Sequence, residues 1–347
     1  MIFRTPSYYD SFCCIADKCT DNCCIGWEIA IDSETADYYT SLDGTFGDRL
    51  RENISGDNSF ILKNERCPFL NRNNLCDIII NCGEDRLCQI CRDHPRYFEW
   101  YSNIKEGGIG LSCEEGARLI LTCDKVTYDE TEVDEDEEEV DEELFSLLFS
   151  AREEIFSLLC REDCSFYENA CDILTFADKL QFLLDNPHLS QEDYVPCDTA
   201  ECENAWQGVL GFFGKTEPID EKWNAEHAKL CTQKAENVEN SERAEAYMRN
   251  IFRYFIWRYF LKGVFDGEIL SKVKLAAVSA LVINKMTEGS DELGVWIEKS
   301  KLYSKQTEYS DENRELFYDL SYEMECFSVT ILNAQFSMLN CGGILMK

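Results

Sequence analysis

Positive charge is scarce in this chain of 347 residues, where 33 Lys and Arg stand against 67 Asp and Glu for a formal net charge of -34. So acidic a surface opposes any phosphate backbone. No nucleic-acid partner is expected, and anionic membrane surfaces are disfavoured on the same ground. Long hydrophobic runs are missing as well: the best candidate, Ile251 to Phe265, carries Arg253, Arg258 and Lys262, which breaks the roughly 18 to 20 apolar residues a bilayer span needs. The amino terminus, MIFRTPSYYDSFCC, has neither an apolar core of signal-peptide length nor a small-residue cleavage site, so a cytoplasmic location is expected. A glycine-rich cofactor loop is also wanting. KEGGIG at Lys105 to Gly110 follows no clear buried strand and reads as a turn, and a dinucleotide-type fold is not expected. Histidine occurs only three times.

What the chain does contain is apolar surface and cysteine. Hydrophobic residues make up 45% and aromatics 12%, enough to build cores, and the length predicts two domains because single cores stop growing near about 250 residues. Of 20 cysteines, 12 fall within the first 123 residues. In a reducing compartment that density points to metal ligation, since stable disulfides rarely persist there.

From Asp129 to Glu143 the sequence DETEVDEDEEEVDEE holds 12 acidic residues in 15 and reads as a solvated linker. Beyond it, Leu144, Leu148, Ala151, Ile155 and Leu159 recur at helical spacing. So do Phe166, Ala170, Ile173, Ala177, Leu180 and Leu184 before Asn186-Pro187. Ser241 opens a further helical segment that runs through Phe265 and stops at Asp266-Gly267. Another helix passes through Val273, Ala277 and Leu281, and Ser310 caps a last long one. In YMRNIFRYFIWRYFLKGVF the aromatics fall on all sides, so this helix is buried and its cations Arg249, Arg253, Arg258 and Lys262 pair with carboxylates in preference to an anionic cofactor group. The first half shows short extended pieces, Trp27 to Ile31 and Phe60 to Lys63, with a cap at Asp32 or Ser33. The expected fold is therefore mainly α: a small cysteine-rich α+β metal-binding region (1–128), an acidic linker (129–143) and an all-α helical domain (144–347).

Cys14, Cys19, Cys23 and Cys24 form CIADKCTDNCC, and Cys88 with Cys91 forms CQIC. Cys67 and Cys76 bracket PFLNRNNL, whose turn at Asn71 to Asn74 sets the two thiols nearly opposite, and Cys113 lies in LSCEEGARLIL. Two thiolates three residues apart grip one ion, and a second pair completes the shell of Zn²⁺ or of an iron–sulfur cluster. The scarcity of histidine leans towards the cluster. His94, in CRDHPRYF, reads as a hydrogen-bonded structural residue before a ligand.

The order CxxxxCxxxCCxGWxxxID, CPFL, LCxI, GExxLCxxCRxxPR and LSCxExARLIL resembles that of the flagellin lysine-N-methylases, as do RNIFRYFIWRYFLKGVFDGEILSKVK and LSYEMECFSVTILNA. The amino-terminal part is similar to the zinc- or iron-chelating CxxCxxCC domain. The resemblance implies that Cys14, Cys19, Cys23, Cys24, Cys67, Cys76, Cys88, Cys91 and Cys113 are the family cysteines and that a [4Fe-4S] cluster, or alternatively Zn²⁺, is the centre. Nine exceeds four, which leaves either core cysteines or two sites. Cys13, Cys82 and Cys326 depart from the family pattern and are expected to be buried and inert.

The implied reaction is methyl transfer from S-adenosylmethionine to lysine ε-amino groups of flagellin. A lysine ammonium, with pKa near 10.4, must first be desolvated or set beside a base. Trp27, Trp100, Tyr97 and Tyr101 are candidates for a cation–π pocket, although packing is their commoner use. The radical spacing CxxxCxxC is not met: Cys19 and Cys23 fit, but Gly26 stands where the third thiol belongs. Either distant cysteines build the cluster, or it is structural and polar transfer occurs nearby. No catalytic residue is singled out. The rival readings are a non-catalytic zinc- or iron–sulfur-stabilised interaction module and a redox sensor.

Overall fold

The computed structural model describes residues 1–26, 28–196, 205–233 and 240–341; Trp27 lies outside them. Four strands, β1 (Ile2–Pro6), β2 (Arg96–Tyr101), β3 (Ile104–Ile109) and β4 (Tyr128–Glu132), make one sheet in the order β2-β3-β1-β4. β1 runs parallel to β3, and the other two pairs are antiparallel. Between β1 and β2 the chain makes a cysteine-rich excursion with four short helices: α1 (Ser33–Ser41), α2 (Gly44–Glu52), α3 (Asp77–Cys82) and α4 (Gln89–Asp93). α5 (Glu114–Thr122) joins β3 to β4. The rest is helical: α6 (Glu142–Leu159), α7 (Phe166–Asp185), α8 (Ala205–Phe213), α9 (Glu221–Thr232), α10 (Glu242–Tyr259), α11 (Gly263–Asp266), α12 (Leu270–Met286), α13 (Leu293–Glu308), α14 (Asp311–Glu323) and α15 (Val329–Asn340). The mainly α class, with a mixed cysteine-rich region ahead of a helical one, is what the sequence predicts.

Several local expectations hold for visible reasons. Asp32 caps α1 by accepting the Thr35 amide, and Ser241 caps α10 by accepting that of Ala244. Gly267, at φ +76°, takes the left-handed conformation that ends α11. The turn at Asn71 to Asn74 closes with the Asn74 amide on the Asn71 carbonyl, 3.1 Å.

Others need correction. KEGGIG is no turn but most of β3, an interior strand; the lost signal is the glycine pair, which strand propensity disfavours. Those glycines make room for rings. A Cβ on Gly107 would lie 2.8 Å from Phe3, and one on Gly108 would lie 2.3 Å from Tyr97. Gly108→Ala is therefore expected to lower stability by about 1–3 kcal/mol, read as a drop in the thermal midpoint. The run read as an acidic linker opens as the edge strand β4, where Arg4 of β1 meets Glu130 at 3.3 Å, and ends in the first turn of α6. Ser310 caps α14, but α15, capped by Ser328, follows it. The extended pieces around Ile31 and Phe60 make only isolated bridges, Ala30 with Ser59 and Ile54 with Phe60. Cys76 pairs across its turn with Leu70, not Cys67.

Two hydrophobic cores result. The larger joins Tyr101, Ile109 and Ile120 from the sheet and α5 to the buried faces of α6, α7, α8, α10 and α12. The smaller is confined to residues 29–88 and is built on Tyr39, Leu50, Phe60, Phe69 and Ile78, with Cys67 and Cys88 inside it. α10 is buried on most of its circumference, as its all-round aromatics require. Three of the four cations singled out there have carboxylates: Arg258 with Glu308 at 3.0 Å, Lys262 with Glu99 at 2.5 Å and Arg249 with Glu245 at 3.9 Å. Arg253 does not.

α12 is buried at every position but Lys285. Its Lys274 donates to the Ser321 carbonyl at 2.7 Å, and burial pushes its pKa down from 10.5 to about 8. Between those values the unfolded chain holds a proton that the folded one has released, so stability rises with pH across this window. The gain is expected to total about 3 kcal/mol, and Lys274→Met is expected to remove it, as urea unfolding at pH 7.5 and above 10 would show.

Candidate metal centre

Three of the nine predicted cysteines occupy helix N-cap positions, Cys76 at α3, Cys88 at α4 and Cys113 at α5. Free amides at such ends favour negative sulfur. Cys67 is set beside Cys24 by a backbone bond, the Cys67 amide to the Cys24 carbonyl at 2.9 Å. Cys24, Cys76 and Cys91 pack against the small core that contains Cys67 and Cys88. The charge of each reaches the others: Cys24 is influenced by Cys67 and Cys76, Cys91 by Cys24 and Cys67, and Cys67 by Cys76 and Cys88.

The remaining four lie towards the helical core. Cys113 is influenced by Cys19 and Cys23, and Cys14 by Cys23. This loop is fastened by carboxylates. Glu114, at the start of α5, accepts the Thr20 amide at 2.8 Å, stands 3.7 Å from the Cys19 sulfur and meets Lys301 of α13 at 3.1 Å. Asp21 is paired with Lys305 of the same helix. Burial opposes ionisation of Asp21, but the hydrogen bond and charge of Lys305 outweigh it and hold the carboxyl below its ordinary range.

Two sulfur pairs share protons. A hydrogen bond from Cys24 lowers the Cys23 thiol to about 4 against its burial, with His94 adding a second bond. The same bond and burial push Cys24 up. Cys91 lowers Cys88 in the same manner and is itself raised. Burial, with a smaller push from neighbouring thiols, lifts Cys67 and Cys113 to about 11, so both are neutral thiols at pH 7 without a cation. No disulfide links the described cysteines.

The donors fit a thiophilic centre in type and neighbourhood. They do not close on a point: among the described residues, no three Cys, His, Asp or Glu side chains form a set that could hold one ion. His94 is hydrogen-bonded to Cys23. Of the thiols expected to be buried, Cys326 is, Cys82 is half-buried and Cys13 is exposed, because the loop carrying Cys13 runs along the surface.

The three described aromatic candidates already have partners within the fold. Tyr97 lies under Arg258 at 4.2 Å, Tyr101 stacks between Phe145 and Phe265, and Trp100 donates to Glu135 at 3.0 Å. A feature without sequence signal stands beside Cys113. The Glu308 carboxylate is buried and accepts from Tyr254 at 2.9 Å and Tyr259 at 2.8 Å while pairing with Arg258. Tyr254 in turn accepts the Leu111 amide at 3.2 Å, and Tyr309 donates to Ser112 at 2.9 Å.

Comparison with known proteins adds to this geometry. A protein named lysine-N-methylase from Salmonella typhimurium is 26% identical over 173 residues, and its namesake from Salmonella choleraesuis is 25% identical over 172. The chain is distantly similar to these lysine-N-methylases. The match takes in 45% of this chain but 40% of each lysine-N-methylase, so the chain spans less than half the length of those relatives. The flagellar biosynthetic protein FliU of Salmonella muenchen is 29% identical over 131 residues, covering 33% of this chain and 75% of FliU. No family model and no solved structure matches the chain. No helix among the described residues is long and apolar enough to cross a membrane.

Proposed function

We propose that the protein transfers methyl groups from S-adenosylmethionine to lysine ε-amino groups of flagellin, and that its cysteines hold a [4Fe-4S] cluster or, in its place, Zn²⁺. Its kinship with proteins named lysine-N-methylase carries the reading. The thiol neighbourhood supports the metal part, and its ligands come from Cys24, Cys67, Cys76, Cys88 and Cys91. When bound, a cluster supplies cross-links to the small core and a store for one electron; zinc supplies the cross-links alone. The chain's own contribution is electrostatic. A surface of net charge -34 draws a lysine-bearing partner, and a carboxylate beside the bound ammonium takes its proton. The methyl donor is assigned to no residue: the three cavities described have room for about one water molecule each.

The test is incubation of anaerobically purified protein with flagellin and S-adenosylmethionine labelled in its methyl group. Label is expected in methyl-lysine after hydrolysis. Retention of flagellin on the protein with no label transferred, the metal being intact, would replace the enzyme by an interaction module.

A further inference from the structure

Lys105 of β3 carries its ammonium in a cage. Its Nζ lies 5.0 Å from the ring centres of Phe98 and Trp100 and 5.6 Å from that of Phe3, and it pairs with Glu135 at 2.5 Å. The sheet builds three of the walls. Strand register sets Phe3 of β1 and Trp100 of β2 on either side of Lys105, and Phe98 shares the Trp100 face of its strand. The fourth wall comes from the acidic run, tied to the sheet by the Val133 amide on the Met1 carbonyl and the Glu138 amide on the Ser102 carbonyl, each at 3.0 Å. Between these ties the Trp100 indole donates to Glu135 at 3.0 Å. No other lysine among the described residues faces more than one ring: Lys262, Lys272 and Lys274 each face one.

Several rings and a carboxylate around one ammonium are the surroundings that favour an N-methylated lysine. A methyl carbon on Nζ extends about 1.5 Å and rests on a ring at about 3.5 Å, so rings at 5.0 Å leave room for one methyl group each. The cage opens to solvent on the side of Trp100, 38% exposed, and of the Glu135 side chain. We propose that Lys105 is a methylation site of this protein, modified by its own methyl-transfer activity; the proposal rests on the lysine-methyltransferase reading. Glu135 takes a proton from the ammonium and passes it to water. The freed lone pair of Nζ forms the N–C bond to the methyl group of S-adenosylmethionine, the C–S bond breaks, and S-adenosylhomocysteine leaves. A second transfer sets methyl groups against both Phe98 and Trp100, and the remaining N–H stays on Glu135. Methylation keeps the positive charge, so the ion pair survives it.

The test is made on the full chain, purified anaerobically and incubated with S-adenosylmethionine labelled in its methyl group, with and without flagellin. Both proteins are then digested and read by tandem mass spectrometry. Lys105 is expected as mono- or dimethyl-lysine even without flagellin, while the exposed Lys125 stays bare. Lys105→Arg keeps a cation for Glu135 and the rings; it is expected to take up no label itself and still to label flagellin. Labelled flagellin beside a bare Lys105 would overturn the proposal and leave the transferase reading standing. Methylation of Lys125 to the same extent as Lys105 would also overturn it, by showing that any reachable lysine is modified. Absence of methyl groups from both proteins would overturn the proposal together with the reading on which it rests.

Discussion

Glu106→Gln is expected to destabilise the protein by about 3–5 kcal/mol, a large share of the roughly 5–15 kcal/mol that holds a native domain together. Glu106 sits on β3, 2% exposed, and binds Arg152 of α6, itself fully buried, through both carboxylate oxygens, one at 2.7 Å. It also stands 3.9 Å from Arg4 of β1. Removing its charge leaves Arg4 with Glu153 at 3.0 Å, but Arg152 loses its one carboxylate among the described residues and keeps neutral neighbours, among them the Trp257 carbonyl at 3.5 Å and the face of that ring at 4.7 Å. The penalty therefore arises from a stranded guanidinium, not from the attraction lost. The double variant Glu106→Leu with Arg152→Met is expected to regain most of the stability, because burying neither charge avoids both desolvation terms. Urea midpoints of the three variants decide it; a shift below about 1 kcal/mol in Glu106→Gln would mean that water reaches Arg152.

The second large effect concerns the small core. Its buried side chains between residues 29 and 88 do not join the main core, and two of them are the thiols of Cys67 and Cys88. So few side chains leave only a few kcal/mol once chain entropy is subtracted, the condition under which small folds depend on a metal or a disulfide. Stripping the metal, or substituting Cys67 and Cys88 by alanine, is expected to cut amide-exchange protection in α1 to α4 by about a hundredfold or more. α10 and α12, inside the main core, are expected to keep theirs. Protection unchanged in α1 would show that the small core stands without help.

Helix identity was legible where an apolar period of 3.6 met a cap at Ser241 and Gly267, because both signals are local, while α15 behind Ser328 was merged with α14. The sheet was not. β3 contains adjacent glycines required by Phe3, far earlier in the chain, and by Tyr97 across the β2–β3 hairpin, and β4 has three carboxylates in five residues that an edge strand leaves in water. The cysteines could be named from their spacing, but not their division into those lining the small core and those facing α5 and α13. That division runs between Cys23 and Cys24, whose thiols share a hydrogen bond, and depends on Asp21 and Glu114 reaching lysines about 190 to 280 residues later. Nor did any pattern announce Glu308, whose partners come from α10 and whose neighbour Tyr309 reaches back to Ser112. Arg253 was visible as a buried cation, while its missing carboxylate is a property of the packed structure alone.

The proposal that thiols from Cys24, Cys67, Cys76, Cys88 and Cys91 hold a metal is tested most directly by metal and sulfide analysis of anaerobically purified protein. Bound iron with matching sulfide, or stoichiometric zinc, is predicted in the wild type and in Cys13→Ser, and is predicted to be lost in Cys88→Ser with Cys91→Ser. A folded, metal-free protein whose thiols all react freely with a maleimide would contradict it.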